Sequence, residues 1–124
     1  MDLESLKPAH ERAALELERL KNKEFLEAGK IKEFYSELAD ILRRYLERGF
    51  QVETLELTTL ELVKILKEKN FGAEILQRVK HVLENSDLVK FAKFIPPRTL
   101  ADELMAEVAR IVELTKPKEE AAKK

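Results

Sequence analysis

The chain has no cysteine, only three glycines and four prolines in 124 residues, and no excess of charge of either sign. The missing cysteine excludes disulfides and thiolate-ligated metal, and leaves the redox compartment open. No apolar run approaches the ~18 residues of a membrane-spanning helix, and the N-terminus lacks the apolar centre of a signal peptide. The segment is therefore expected to be soluble as it stands. Lys and Arg number 23 against 24 Asp and Glu, for a net charge of −1, so the basic excess usual in nucleic-acid binders is missing. There is no glycine-rich phosphate loop, no His-Glu-x-x-His pair and no Gly-x-Ser-x-Gly elbow. The two histidines, His10 and His81, fall on different expected helices, and Ser5, Ser36 and Ser86 have no histidine at a useful spacing. Carboxylates are plentiful, but they are spread among lysines as solvating charges are. No catalytic residue, cofactor site or metal site is expected.

What is present is a helix former's composition. Ala, Leu, Glu, Lys and Arg dominate, 44% of residues are hydrophobic and 38% charged, the profile of an all-α domain. A chain of this length buries roughly two-thirds of its unfolded surface on folding, enough for a core without covalent staples. We expect a single compact bundle of five to six helices over residues 8–115, with an N-terminal extension at 1–7 and a disordered charged tail at 116–124 ("KPKEEAAKK").

The apolar spacing places these helices. The first is expected from Pro8, which suits a first helical turn, to Asn22, with Leu6, Ala13, Leu17 and Leu20 as its core stripe. Lys30 to Arg48 is the clearest element. Its nine apolar residues (Ile31, Phe34, Tyr35, Leu38, Ala39, Ile41, Leu42, Tyr45, Leu46) fall within an arc of roughly 160°, with every charge on the other side. Gly49 reads as its stop, with Phe50 folding back on the last turn. A weakly alternating stretch (Val52, Leu55, Leu57) allows a short extended segment. Thr58-x-x-Glu61 then forms a capping box for a short helix, Thr59 to Lys69, broken at Asn70-Phe71-Gly72. A fourth helix is expected over Ala73 to Glu84, and a last one after Thr99, carrying Leu100, Leu104, Val108, Ile111 and Val112.

Between those two lies "NSDLVKFAKF", residues 85–94. Asn85-Ser86-Asp87 reads as an N-cap, with Asp87 capping a separate helix over Leu88 to Phe94, ended by Pro96-Pro97. With Leu88 at 0° on a helical projection, Phe91 falls near 300°, Lys93 near 140° and Lys90 near 200°, taking about 100° per residue. The two lysines share one narrow polar gap, so a mostly buried helix with a wet edge is expected rather than a basic-aromatic patch for nucleic acid or membrane. On that reading Phe91→Ala costs about 3–5 kcal/mol, and Lys90→Ala stays within roughly 0.5 kcal/mol.

Arg43 and Arg44, with Arg48, form a candidate phosphate strip. Asp40, Glu33, Glu37 and Glu47 share their face, however, and Asp40 has the spacing for ion pairs with both. An internally paired face is expected, with an arginine free to bridge to a carboxylate on another helix. The two helices around Gly72 also have the coarse look of a helix-turn-helix, in which Lys64, Lys67, Lys69, Arg78, Lys80 and His81 would contact phosphates. DNA binding is thus the alternative function class, and a hydrolase without a legible site is a third.

Four segments in order, Phe34-Tyr35, Arg43-Arg44-Tyr45-Leu46, Thr58-Thr59-Leu60-Glu61 and Asp87 to Ala92, resemble the C-terminal soluble domain of BatD-like (aerotolerance or oxygen-tolerance) bacterial membrane proteins and of related membrane-anchored proteins. The resemblance spans about residues 8–115 and departs from the family pattern at "ERGFQVETLEL", where a phenylalanine-glycine step is more usual. It implies a non-catalytic module held by a membrane-anchored parent on the cytoplasmic side of the bacterial inner membrane. The implied partners are MoxR-type AAA+ ATPases and von Willebrand factor A proteins. It supplies no catalytic residues. The candidate interaction or structural residues are Arg43, Arg44, Tyr45, Asp87, Lys90 and Lys93.

Overall fold

The computed structural model describes residues 6–54 and 56–117. Five helices follow one another: α1 Ala9–Asn22, α2 Ile31–Phe50, α3 Thr59–Glu68, α4 Ala73–Phe91 and α5 Arg98–Thr115. No strand occurs among the described residues, and no helix there is long and apolar enough to cross a membrane. The expectations for the extreme termini (1–5 and 118–124) and for Leu55 lie outside the described residues.

The one-sided pattern of α2 makes it the axis of the bundle. Eight of its nine apolar stripe residues are buried, and the helix packs against α1, α4 and α5. The α4 helix in turn packs on α2, α3 and α5. Leu62 and Leu66 from α3, Val79, Val82, Leu83 and Val89 from α4, and Leu104, Val108 and Ile111 from α5 complete the core. In α1 only Ala13 and Leu20 are fully buried; Leu17 packs at the edge and Leu6, expected in the stripe, is exposed.

Helix ends differ from the expectations in instructive ways. Gly49 does not stop α2, which runs on to Phe50 and closes at Gln51 in the left-handed region, φ 56°. Phe50, still helical, stacks edge-on against Tyr45 and Phe71, at 5.9 and 5.0 Å between ring centroids. That aromatic contact holds the last turn in place of a glycine stop. The last helix begins at Arg98, one residue before Thr99, after Pro97.

The largest correction concerns residues 85–94. There is no break at Asn85-Ser86-Asp87, and α4 passes straight through. Each of the three polar side chains has found a partner that lets the helix continue. Ser86 is fully buried and donates to the Val82 carbonyl at 2.8 Å, and Asn85 donates to the His81 carbonyl at 2.8 Å. Hydroxyl and amide groups that would otherwise favour a cap are satisfied within the preceding turn. Asp87 caps nothing, and instead accepts a hydrogen bond from Thr59 on α3.

Burial along the same stretch also departs from the expectation. Val89 is the last α4 residue in the core. On a helix Phe91 lies about 200° round from Val89, and it is 76% exposed. Leu88 is 47%, Phe94 39% and Ile95 76% exposed. Lys93 lies beyond the helix, at φ 57°. The Leu88 carbonyl accepts from the amides of Ala92 and Phe94, at 3.0 and 3.2 Å, and closes the turn.

Candidate functional site

The loop between α2 and α3 has no ladder of its own, and α2 holds it through side chains. Arg43 Nη1 donates to the carbonyls of Thr54 and Leu57, both at 3.0 Å. A guanidinium nitrogen carries two N–H groups in a fixed plane, so one atom can tie two turns of backbone. The Thr54 amide donates to Glu47 at 3.4 Å, and Val52 and Thr54 are buried beneath. No strand forms among the described residues of this loop. At the end of the loop the capping box forms as expected. Thr58 accepts from the Glu61 amide at 3.1 Å, and Glu61 accepts from the Thr58 amide at 2.9 Å. The next residue, Thr59, turns inward and donates to Asp87 at 2.7 Å, tying the start of α3 to α4.

Arg44, the residue after Arg43, is held by carboxylates instead. It pairs with Glu16 on α1 and with Glu37, each at 3.4 Å, and Arg48 reaches the second Glu16 oxygen at 3.0 Å. Glu16 is largely shielded from solvent, so this is a bridge between helices rather than a loose surface pair. Asp40 pairs with neither arginine among the described residues, contrary to the expectation from spacing. Arg43 is engaged by loop carbonyls and Arg44 by α1, and these partners outcompete a flexible contact along the same exposed face.

These elements enclose an open cleft of about 810 Å³. One wall is α2, with Asp40, Arg43, Arg44 and Glu47. The loop contributes Thr54, Glu56, Leu57 and Thr58, and the far side is Thr59, Asp87, Lys90 and Phe91. Of the six residues singled out from sequence, Arg43, Arg44, Asp87 and Lys90 meet at this cleft. Tyr45 and Lys93 are not among its lining residues. Sequence reasoning missed Thr54, Thr59 and Glu56, and placed Phe91 in the core. The doubled threonine was the available signal, since only Thr58 was needed for the cap.

The lining carries four carboxylates and three cations. Arg43 and Arg44 are already engaged, while Lys90 Nζ sits over the Phe91 ring at 5.2 Å from its centroid. The cleft thus offers carboxylate acceptors, one lysine and an aromatic face. It holds no histidine or cysteine, and among the described residues no three His, Cys, Asp or Glu side chains are grouped to hold a metal ion.

Tyr45 is a core residue. Thr115 donates its own proton to the Ile111 carbonyl, so the Tyr45 hydroxyl donates to Thr115, at 2.7 Å. Burial raises its pKa, and the Thr115 hydrogen bond opposes the shift. Tyr35, one turn from the start of α2, is equally buried, but its hydroxyl has no hydrogen-bond partner among the described residues. Burial, and secondarily the charge of Asp102, push its pKa up to about 12.

The basic residues of the helix-turn-helix reading are partly spoken for. Arg78 pairs with Glu74 and with Glu107 of α5, and these carboxylates raise its pKa further. His81 meets Glu103 of α5 at 2.7 Å. Comparison of the chain with family models, with curated proteins and with solved structures finds no match.

Proposed function

We propose that this chain is a non-catalytic protein-interaction domain, and that the cleft between α2, α3 and α4 is its docking site. The observation that carries this reading is convergence. Three of the four segments behind the BatD-like resemblance, far apart in sequence, place Arg43 and Arg44, Thr58 and Thr59, and Asp87, Lys90 and Phe91 around one opening. The Arg43 and Thr59 hydrogen bonds hold the walls in place before any partner arrives, which lowers the entropy lost on binding. Asp40 and Glu56, which have no ion pair among the described residues, suit a basic segment, and Phe91 supplies an apolar anchor of the kind that dominates interface energetics.

On the resemblance, the partner is a MoxR-type AAA+ ATPase or a von Willebrand factor A protein, and the parent protein is membrane-anchored with this domain on the cytoplasmic side. DNA binding is the weaker reading, because α4 is packed on three other helices and two of its basic residues are paired with acids of α5. A recognition helix needs a free face for the groove.

Titration of the purified domain against the MoxR-type ATPase and the A-domain protein of the genome that encodes it tests the proposal. Binding is expected, with Asp40→Lys plus Glu56→Lys weakening it about tenfold through lost charge complementarity. Salt-sensitive binding to random duplex DNA with neither protein bound would sink it.

A further inference from the structure

Residues 88–101 contain Lys90, Lys93 and Arg98 and no acidic residue, in a chain with 24 acids. The same stretch carries the exposed side chains of Leu88, Phe91, Phe94 and Ile95 around the bend between α4 and α5. Arg98 is offset by Glu27 at 3.4 Å, but neither Lys90 nor Lys93 has a carboxylate within ion-pair distance among the described residues. Asp87, the nearest acid in sequence, is held by Thr59. The bend is tied down by the two amide hydrogen bonds to the Leu88 carbonyl, so a fixed turn presents these apolar groups.

We propose that this bend is a docking surface for an anionic lipid bilayer. Lysine heads beside exposed aromatic and aliphatic groups match the two halves of a membrane interface, acidic headgroups outside and acyl chains within. The lysine stems let the charged ends reach headgroups while Phe91 and Ile95 enter the interface. Size favours lipid over a folded protein partner. A standard interface engages about 20–30 residues a side, whereas four apolar side chains and two lysines suffice for weak, reversible attachment to a bilayer, each lysine multiplying the affinity about fivefold. The surface borders the docking cleft at Lys90 and Phe91, but Lys93, Phe94 and Ile95 are not among the residues that line it, and the lipid proposal stands without the protein partner.

The test is co-sedimentation of the whole chain with vesicles of phosphatidylcholine containing about one-third phosphatidylglycerol, against pure phosphatidylcholine. Because the chain has no tryptophan, Ile95→Trp supplies a single fluorescent reporter at the bend. The expected result is binding to the anionic vesicles alone, loss of that binding in high salt, and a blue shift of the tryptophan emission. Lys93→Glu with Ile95→Glu should weaken binding at least tenfold while leaving the helical circular dichroism unchanged, since both residues lie outside the helices and the core. No vesicle binding by the wild-type chain, or equal binding by the double variant, overturns the proposal. Loss of protein-partner binding in that variant with vesicle binding intact would reassign the bend to a protein and overturn it as well.

Discussion

Helices α2 and α4 are almost the same length, 20 and 19 residues, and each packs on three other helices. They use their apolar residues in opposite ways. In α2 the large side chains lie on the buried side, and the exposed side is charged. In α4 the buried face is Val79, Val82, Leu83, Ser86 and Val89, so a serine sits at a core position while Leu88 and Phe91 are turned to solvent. Apolar residues on one side of a helix mark the face that packs; apolar residues on most sides leave that choice to the neighbours. Near the end of α4 the neighbours cover only the Val89 side.

Substitutions in the two helices should therefore diverge. Leu42→Ala, at a fully buried α2 position, is expected to cost about 3 kcal/mol in chemical denaturation through lost burial and a residual cavity. A value near zero would mean that α2 is not the axis of the core. Asp87→Ala should cost about 1–2 kcal/mol, because the buried Thr59 hydroxyl loses its acceptor. Thr59→Val in the same background should recover most of the loss, whereas an N-cap role for Asp87 would leave the loss unrecovered.

Within α2 the two tyrosines sharpen the contrast between satisfied and unsatisfied burial. Tyr45→Phe is expected to cost about 1 kcal/mol, since the Thr115 hydrogen bond goes. Tyr35→Phe should be neutral or slightly stabilising at pH 7, because it removes a buried hydroxyl with no partner among the described residues. The Tyr35 pKa is raised in the folded state from 10.0 to about 12. The folded protein therefore holds a proton that the unfolded chain releases, so its contribution is complete below pH 10 and is lost as pH rises towards 12. Denaturation midpoints of the wild type should fall over that range, and those of Tyr35→Phe should fall less. Parallel curves would contradict the assignment. A comparably small effect is expected in α4. Phe91→Ala should change stability by no more than about 0.5 kcal/mol, as at an ordinary exposed site, in place of the 3–5 kcal/mol expected of a core phenylalanine. A loss of that larger size would return Phe91 to the core.

The same contrast explains what could be read from sequence. The all-α class, the α2 stripe, the Thr58–Glu61 capping box and the apolar residues of α5 follow from local rules, because spacing and capping chemistry are satisfied within a few residues. The continuity of α4 does not. Asn85-Ser86-Asp87 is equally competent to cap a new helix or to back-bond within an old one, and the choice depended on α3 bringing Thr59 to Asp87. The cleft was half legible. Arg43 and Arg44 were visible as charges, but their partners are a loop 11–14 residues away and a helix 28 residues away. Asp40 had the right spacing for both and pairs with neither among the described residues, since spacing identifies possible partners and the fold selects among them.

The grip of Arg43 on the loop has a consequence for how this surface can change. The guanidinium recognises the carbonyl oxygens of Thr54 and Leu57, and carbonyls are the same in every residue. The position of the loop is thus separated from much of its chemistry. Exposed Glu53 and Glu56 can be exchanged for other side chains while the backbone beneath them stays anchored. At Glu56 the cleft wall can be recharged or made apolar without being rebuilt, so its charge can change independently of its shape.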